Sequence, residues 1–289
     1  MDNLWKVIPV GSNWTEGRFI TGYLNPITGD YMLTEAMRLL IHAANFPNVP
    51  HLLILDEMNL SHVEYYFSDF LSAMESHQPI ILDNTTDDVP RTVPIGDNII
   101  IVGTVNMDET TYSFSPKVLD RANVIEFPCA EVDGYLKSGL MNDVLSGDIR
   151  YLQDCMKSVP PKTKAPEALK TMRMNTEGTV DGIIRSLEEI QGELKTIGFP
   201  MGFRTLDEII GFMYAAWMYE GEEGFKNNWK KYLDIQILQK ILPHIHGNIP
   251  KGNHEKLKNL LNGFNRSYNK LDSMIEHLNK NRIVTFNVR

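Results

Sequence analysis

Cysteine is scarce in this chain, which has only Cys129 and Cys155 among its 289 residues. Two cysteines cannot form a disulfide framework, and their spacing matches no metal-binding motif. Low cysteine use is typical of proteins from a reducing compartment, so we expect the chain to be cytoplasmic.

Excess positive charge is also lacking. The 28 lysines and arginines are outnumbered by 37 aspartates and glutamates, which gives a formal net charge of -9. A surface that neutralises nucleic-acid phosphates carries positive charge. The overall charge therefore disfavours direct nucleic-acid binding, although local basic patches remain compatible with it.

Long apolar runs are missing as well. The longest aliphatic and aromatic stretch, residues 209–219, is too short to cross a bilayer. The first residues, MDNLWKVIPV, lack the charged and apolar regions of a signal peptide. We therefore expect no membrane association. A hydrophobic content of 43% and a charged content of 22% are ordinary for a globular protein with a sizeable core.

Two short apolar runs are each followed by polar residues. The run LLIL at 52–55 precedes Asp56 and Glu57, and the run IIIVGTV at 99–105 precedes Asn106. Each run is too short for a helix of its own and suits a strand buried on both faces. Because ligands bind at the carboxyl ends of parallel strands, the sequence predicts a parallel α/β sheet with a site at that edge.

Helix and turn signals surround these two runs. Thr34 is a predicted N-cap for a helix over 34–44, and Ser61 with Glu64 has the spacing of a capping box before an amphipathic helix. Two strand-like segments flank the turn TTDD and predict a hairpin over 79–95, and a further short strand is predicted over 124–127.

The second half of the chain has a different character. Residues 159–180 are polar, contain proline and lack periodicity, which predicts a mobile connection. Thr205 and Glu208 form a second predicted capping box, and apolar residues recur at helical spacing over 257–278. We therefore predict an α/β domain over 1–130, a linker or insert over 131–200 and a small helical domain over 201–289.

The Asp56-Glu57 pair has two interpretations. In a nucleotide triphosphatase, an Asp in this position orients a water of the Mg²⁺ shell and the Glu polarises the attacking water. An exposed acidic turn, or two charges favoured by a helix N-terminus, would produce the same pattern. Since strings of this kind are common, the pair alone leaves both interpretations open.

Longer segments carry a more specific resemblance. LLILDEMNLSHVEYYFSDFLSAMES and IIIVGTVNMDETTYSFSPKVLDRANVIEF together resemble AAA+ nucleotide triphosphatases of the McrB type, the motor subunits of modification-dependent restriction systems. LILDE is similar to their Walker B strand, GTVNMDE to their sensor 1 strand and SPKVLDRA to their arginine-finger segment. NWTEGRFITGYLNPITGDY is similar to the loop after their second strand, and GFRTLDEIIGF and ILPHIHG to their lid. The matches cover nearly the whole chain in order, and imply an AAA+ parallel-sheet core followed by an all-α lid.

The resemblance implies roles for five residues. Asp56 and Glu57 would hold the Mg²⁺ shell, with Glu57 also activating water, and Asn106 would position that water near the γ-phosphate of GTP or ATP. Arg121 would act as an arginine finger across a subunit boundary, where its guanidinium suits phosphate. Arg204 would contact phosphate from the lid.

Structural alternatives accompany these roles. Asn106 also suits a turn in which its side chain bonds its own backbone. Arg121 also suits an ion pair with Asp120 or Glu126, and Arg204 lies beside a helix start that carries acidic residues. His244 and His246 at spacing two are expected to be loop residues, because no further metal ligand is near them in sequence.

One departure from the family is large. Phosphate cradling needs G-x-x-x-x-G-K-[ST], and no Gly-Lys dipeptide occurs in the 289 residues. The chain is expected to open at the family's second strand, without the first strand, the P-loop, the first helix and a preceding specificity domain. It is therefore expected to bind nucleotide poorly when it is alone.

Three functions are compatible with the sequence. The first is a GTPase or ATPase module of an McrBC-like DNA restriction complex, within a homo- or hetero-oligomeric AAA+ ring that meets an McrC-like nuclease subunit and DNA only indirectly. The second is a non-hydrolysing ring subunit or regulator that supplies Arg121 in trans. The third is a remnant with no activity.

Overall fold

The computed structural model describes residues 4–106, 112–127, 165–247, 249–282 and 284–286, without the side chains of Glu177 and Asn281. The chain divides into two compact units, with a boundary between Val118 and Leu119. Among the described residues, unit 1 comprises 4–106 and 112–118, and unit 2 comprises 119–127 and everything from 165 onward. Both cysteines and residues 107–111 of the sensor-like segment lie outside the described residues.

Unit 1 mixes short strands and helices. Its elements in chain order are β1 (Trp5–Pro9), α1 (Arg18–Thr21), β2 (Gly22–Leu24), β3 (Tyr31–Leu33), α2 (Glu35–Asn45), β4 (His51–Asp56), a 3-10 turn (Met58–Leu60), α3 (Val63–Tyr66), α4 (Ser68–Ser76), β5 (Ile80–Ile81), β6 (Thr92–Val93), β7 (Ile99–Gly103) and α5 (Pro116–Leu119), whose last residue begins unit 2.

The central sheet of unit 1 is small and parallel. Its three strands have the order β1-β4-β7, with Leu55 opposite Gly103 in the pairing of β4 with β7. The two apolar runs of the sequence are thus neighbouring parallel strands, which confirms the mixed α/β prediction. The predicted hairpin is also confirmed, since β5 and β6 pair antiparallel with Ile80 opposite Val93.

One face of this sheet is covered by helices. Leu53 and Leu55 of β4 are fully buried in a core that includes Met37 and Leu40 of α2 and Phe70 of α4. The predicted cap of α2 is present, because the Thr34 hydroxyl accepts from the Met37 amide at 3.3 Å.

The opposite face of the sheet is exposed and apolar. Pairing aligns Trp5, Leu52 and Ile100 in one row and Val7, Ile54 and Val102 in the next. The outer members of these rows, Trp5, Val7, Ile100 and Val102, are 56%, 45%, 47% and 42% exposed. We call these six side chains the open sheet face. Parallel sheets normally have both faces covered, so this surface is unusual.

The predicted capping boxes are both wrong. After β4, Ser61 Oγ donates to the Trp14 carbonyl at 2.6 Å and Glu64 Oε1 accepts from the Ser115 amide at 3.1 Å, so tertiary contacts take both side chains. The single helix predicted there is instead the 3-10 turn followed by α3 and α4. In unit 2, helix α7 (Phe203–Gln236) is preceded by Gly202 and has no side-chain cap.

Unit 2 is helical throughout its regular elements. After α6 (Ala165–Thr196) and α7, the chain forms a π-helix (Ile237–Ile241), a 3-10 turn (Leu242–His244), α8 (Lys251–Leu260) and α9 (Asn265–Asn281). Their apolar faces form one core, with Ile183, Phe225, Leu233 and Leu271 fully buried. No described helix has the length and apolarity that a membrane span requires.

Two segments of unit 2 differ from their predictions. The predicted connection over 159–180 is helical from Ala165 onward, and Ala168, Met172 and Val180 are fully buried in the core. The helix has a kink at Thr176, and the polar residues around these few apolar ones obscured the helical pattern on both sides of it. The predicted strand over 124–127 is absent from the described elements, because Val124 instead donates its amide to the Gln239 carbonyl at 3.0 Å.

A buried histidine joins β4 to α2 in unit 1. His51 is 1% exposed, with its Nδ1 at 2.8 Å from the Val49 carbonyl and its Nε2 at 2.8 Å from Nδ1 of His42. When the ring is neutral and Nδ1 donates to the carbonyl, Nε2 accepts from His42. Burial lowers the pKa of His51 below its usual value of 6.5, the Val49 carbonyl opposes this shift, and His42 adds to it.

We predict that unit 1 loses stability in acid through His51. Its pKa is lower in the folded than in the unfolded chain, so the unfolded state binds more protons as the pH falls through about 6.5. The stabilisation is complete above that pH and is lost below it. Urea denaturation between pH 5 and 8 should show a shallower pH dependence for His51→Asn than for His77→Asn, which alters an exposed histidine. Equal slopes would contradict this assignment.

Candidate functional site

Four polar residues meet at the carboxyl ends of β4 and β7. Thr104 Oγ1 donates to Asp56 Oδ1 at 2.7 Å and accepts from the Glu57 amide at 2.9 Å. Asn106 Nδ2 donates to Glu57 Oε1 at 2.9 Å. We call Asp56, Glu57, Thr104 and Asn106 the strand-end cluster. Asp56 is half-buried and the other three are exposed, so the cluster is open to a ligand.

The backbone of Glu57 is held in an unusual conformation. Its φ of 53° and ψ of 47° lie in the left-handed region, which costs a non-glycine residue about 1 to 2 kcal/mol. The Met58 amide donates to the Thr104 carbonyl at 2.9 Å, directly beside the bond between the Glu57 amide and Thr104 Oγ1. These two bonds hold the turn and keep the Glu57 carboxylate beside Asn106. Local strain of this kind is often found at functional sites.

Asn59 supports the second side of the strand-end cluster. It is fully buried, and its Nδ2 donates to the Asn106 carbonyl at 3.0 Å and to the Tyr112 carbonyl at 3.4 Å. The Tyr112 amide in turn donates to the Asn59 carbonyl at 3.0 Å. Asn59 therefore anchors the chain on both sides of residues 107–111.

Sequence reasoning identified three members of the cluster and missed Thr104 and the supporting Asn59. Thr104 lies between two apolar residues in GTV and resembles an ordinary strand residue there. The sequence did contain a signal. Thr104 stands near the end of a strand that lies beside the strand ending in Asp56, and an exposed threonine there can donate a hydrogen bond to the carboxylate. Asn59 follows the acidic pair closely, where a short polar residue is typical of a turn.

The donor set suits a hydrated Mg²⁺ ion. The hydrogen bonds described above use Asp56 Oδ1 and Glu57 Oε1, one oxygen of each carboxylate. Mg²⁺ is usually held by one or two carboxylates together with water and substrate phosphates. Within the described ranges, no group of three or more His, Cys, Asp or Glu side chains is arranged to hold a metal by itself. Asp56 and Glu57 would therefore supply two ligands at most, and water or a bound substrate would supply the others.

The other predicted site residues belong to unit 2. Arg121 lies in the turn after α5, and Arg204 is the second residue of α7. The structure therefore brings Asp56, Glu57 and Asn106 together and assigns Arg121 and Arg204 to the helical unit. Glu126, one alternative partner of Arg121, is bound by Lys270 Nζ at 2.6 Å.

The histidine pair has a structural setting in unit 2. His244 ends a 3-10 turn, and His246 Nδ1 lies 2.8 Å from the His244 carbonyl. Burial lowers the pKa of His244, and the nearby Asp120 carboxylate opposes this shift. These contacts agree with the prediction that the pair is part of a loop.

We predict that Thr104 stabilises the strand-end cluster. Thr104→Val keeps the side-chain shape but removes the hydroxyl that joins Asp56 to the Glu57 amide, so it should lower the free energy of unfolding by about 1 kcal/mol. Thr92→Val, at an exposed strand position, is the matched control and should change it by less than about 0.5 kcal/mol. Chemical denaturation followed by circular dichroism measures both. Equal effects would show that the hydroxyl does not hold the cluster.

Comparison with known families adds information on unit 2. Residues 159–283 are similar to a family described as a domain of unknown function (DUF8727). This segment includes Arg204 and excludes the strand-end cluster and Arg121. No curated protein matches the chain.

Proposed function

We propose that this chain is part of an McrB-like AAA+ nucleoside triphosphatase module that acts in a DNA restriction complex. The observation that carries the proposal is the strand-end cluster. Asp56 ends one parallel strand, Glu57 comes directly after it, and Asn106 follows the neighbouring strand, with its side-chain amide 2.9 Å from the Glu57 carboxylate. Carboxylates that handle Mg²⁺ and a side chain that positions the attacking water both take part in nucleotide hydrolysis, so this arrangement supports the proposal.

Each member of the cluster has a distinct task in this proposal. Mg²⁺ with GTP or ATP, when bound, would neutralise charge that develops on the phosphates. Asp56 would help to hold the hydrated metal, and Thr104 fixes the rotation of its carboxylate. Glu57 polarises the attacking water, and Asn106 holds the Glu57 carboxylate and positions that water.

The phosphate cradle comes from another polypeptide segment in this proposal, because the 289 residues contain no Gly-Lys dipeptide. The open sheet face supports a partner at this position. In the described part of the chain, β7 pairs only with β4. A parallel strand added to its other edge would end beside Thr104 and Asn106, and a helix following that strand would cover Ile100 and Val102.

The helices over 201–289 are the lid in this proposal, and Arg121 is the finger. In a ring, Arg121 reaches the nucleotide of a neighbouring subunit and stabilises the charge of the transition state. Arg204, near the start of α7, contacts phosphate from the lid. The ring meets an McrC-like nuclease subunit, and DNA is contacted through other subunits, which agrees with the net charge of -9.

A second candidate is a non-hydrolysing ring subunit or regulator. The missing Gly-Lys dipeptide favours it, since a subunit can contribute Arg121 to a neighbour without holding a nucleotide of its own. The two candidate functions assign different roles to one residue. Glu57 matters for turnover only if this chain completes a hydrolytic site.

We predict that the isolated chain shows no nucleotide turnover above background, because the P-loop contacts are missing. Micromolar nucleotide affinity together with Mg²⁺-dependent hydrolysis that Glu57→Gln abolishes would contradict this. The measurement is phosphate release from GTP and from ATP.

We further predict that Arg121 acts in trans. In rings mixed with a P-loop-bearing McrB-type subunit, Arg121→Ala should lower turnover by at least about tenfold without preventing assembly, because a finger stabilises the transition state more than the interface. Arg185→Ala removes an exposed arginine of unit 2 and is the control. Turnover is measured against mixing ratio, with assembly followed by light scattering.

Glu57→Gln in the same mixtures separates the two candidates. A loss of about a hundredfold would favour a hydrolytic site completed by this chain, and unchanged turnover would favour the regulator. If Arg121→Ala leaves the rate unchanged while mixed rings form, the finger assignment is wrong.

A further inference from the structure

A fully buried lysine is attached to the segment that carries Arg121. Lys240 lies in the π-helix Ile237–Ile241, and its side chain is 0% exposed. Its ammonium group forms an ion pair with Glu208 of α7 and donates to the Asp120 carbonyl at 2.9 Å and to the Ala122 carbonyl at 3.1 Å. An ammonium has three donors, and each of them is used here.

The two carbonyls flank Arg121 directly. One cation that binds the residues before and after Arg121 restrains the backbone on both sides of it. Two further contacts belong to the same segment. The Ala122 amide donates to the Leu119 carbonyl at 3.1 Å, and the Val124 amide donates to the Gln239 carbonyl, next to Lys240, at 3.0 Å. The segment 119–124 is thus fastened to the π-helix of unit 2.

The energetic cost indicates a specific role for this lysine. Removing an ammonium from water is costly, and its partner Glu208, whose side chain is 37% exposed, offsets this cost only in part. A lysine here is therefore a poor choice for stability alone. A lysine does, however, supply donors to the Asp120 and Ala122 carbonyls, which apolar side chains of the helical core cannot do. π-helical turns are frequently found at functional sites, which agrees with this view.

We propose that Lys240 is a positioning residue for Arg121, an inference that rests on the proposed function of Arg121 as a finger. Lys240 does not touch nucleotide. It holds the Arg121 backbone on the helical unit, so that the guanidinium starts from a fixed point and loses little conformational freedom when it meets phosphate.

The first test needs no activity. Trypsin cleaves the Arg121–Ala122 bond only when the segment opens, so the cleavage rate reports its opening equilibrium. The variant Lys240→Met with Glu208→Gln removes the ammonium without leaving its carboxylate partner charged. In the full chain it should raise cleavage after Arg121 by at least about fivefold. Cleavage after Arg91, in an exposed loop of unit 1, should stay unchanged.

Two controls make this test specific. Lys226→Met removes an exposed lysine of α7 that pairs with Glu222 and Glu223, and it should leave both cleavage rates unchanged. If the double variant loses its cooperative melt, Lys240→Gln replaces it. Glutamine is one atom shorter and reaches fewer carbonyls, so cleavage after Arg121 should rise by a smaller factor. Unchanged cleavage after Arg121 in a folded variant would overturn the proposal.

The second test measures turnover in mixed rings. The Lys240→Met, Glu208→Gln variant should lower kcat, as Arg121→Ala does, and leave KM unchanged. Adding Arg121→Ala to this variant should cause no further loss of kcat, because both changes remove the same function. A purely structural lysine would instead produce independent, multiplying effects. If the variant opens the segment but keeps full turnover while Arg121→Ala lowers it, the positioning role is wrong.

The two tests separate this inference from the proposed function. Should Arg121→Ala itself leave turnover unchanged, the finger assignment fails, and positioning of a finger fails with it. The trypsin result then still decides whether Lys240 holds the segment. Should Arg121→Ala lower turnover while trypsin cleavage is the same in all folded variants, the proposed function stands and the inference about Lys240 fails.

Discussion

The parallel pairing of β4 with β7 is the constraint on which the strand-end cluster depends. With Leu55 opposite Gly103, the chain leaves both strands at the same edge of the sheet. Asp56 and Thr104 then face each other within hydrogen-bonding distance, and Asn106 can reach Glu57. A shift of one residue in this register would move every side chain of β7 to the opposite face and separate the four polar groups.

The same pairing explains why the acidic turn tolerates strain. Glu57 keeps a left-handed backbone because its own amide and that of Met58 both bond to Thr104, one to the hydroxyl and one to the carbonyl. Thr104 therefore binds the Asp56 carboxylate through its hydroxyl, and its hydroxyl and carbonyl together bind the two amides of the strained turn. The buried Asn59 performs a similar task on the far side, where it binds the chain before and after residues 107–111. Each member of the cluster is thus held by at least one hydrogen bond from a neighbouring element.

Sequence reasoning succeeded where local pattern and tertiary packing agree. The apolar runs at 52–55 and 99–105, the cap at Thr34 and the strand-end placement of Asp56, Glu57 and Asn106 all follow from short-range rules.

Prediction from the sequence failed where a partner that is distant in sequence decides the outcome. Ser61 and Glu64 have the correct spacing for a capping box, yet a carbonyl at Trp14 and an amide at Ser115 take them. Nothing near Lys240 in sequence indicates that its partners lie at Asp120 and Ala122. The helix over the predicted connection was missed because its polar residues outnumber the few apolar ones that are buried.

The outer edge of β7 has a practical consequence for anyone who handles this protein. The sequence IIIVG of β7 is apolar, uncharged and rich in β-branched residues, which is the composition of segments that stack into cross-β assemblies. Within the described residues its outer edge has no strand beside it, so its backbone groups can template the addition of strands from other chains. Production together with a binding partner, at low concentration and without prolonged heating, keeps this edge from meeting copies of itself.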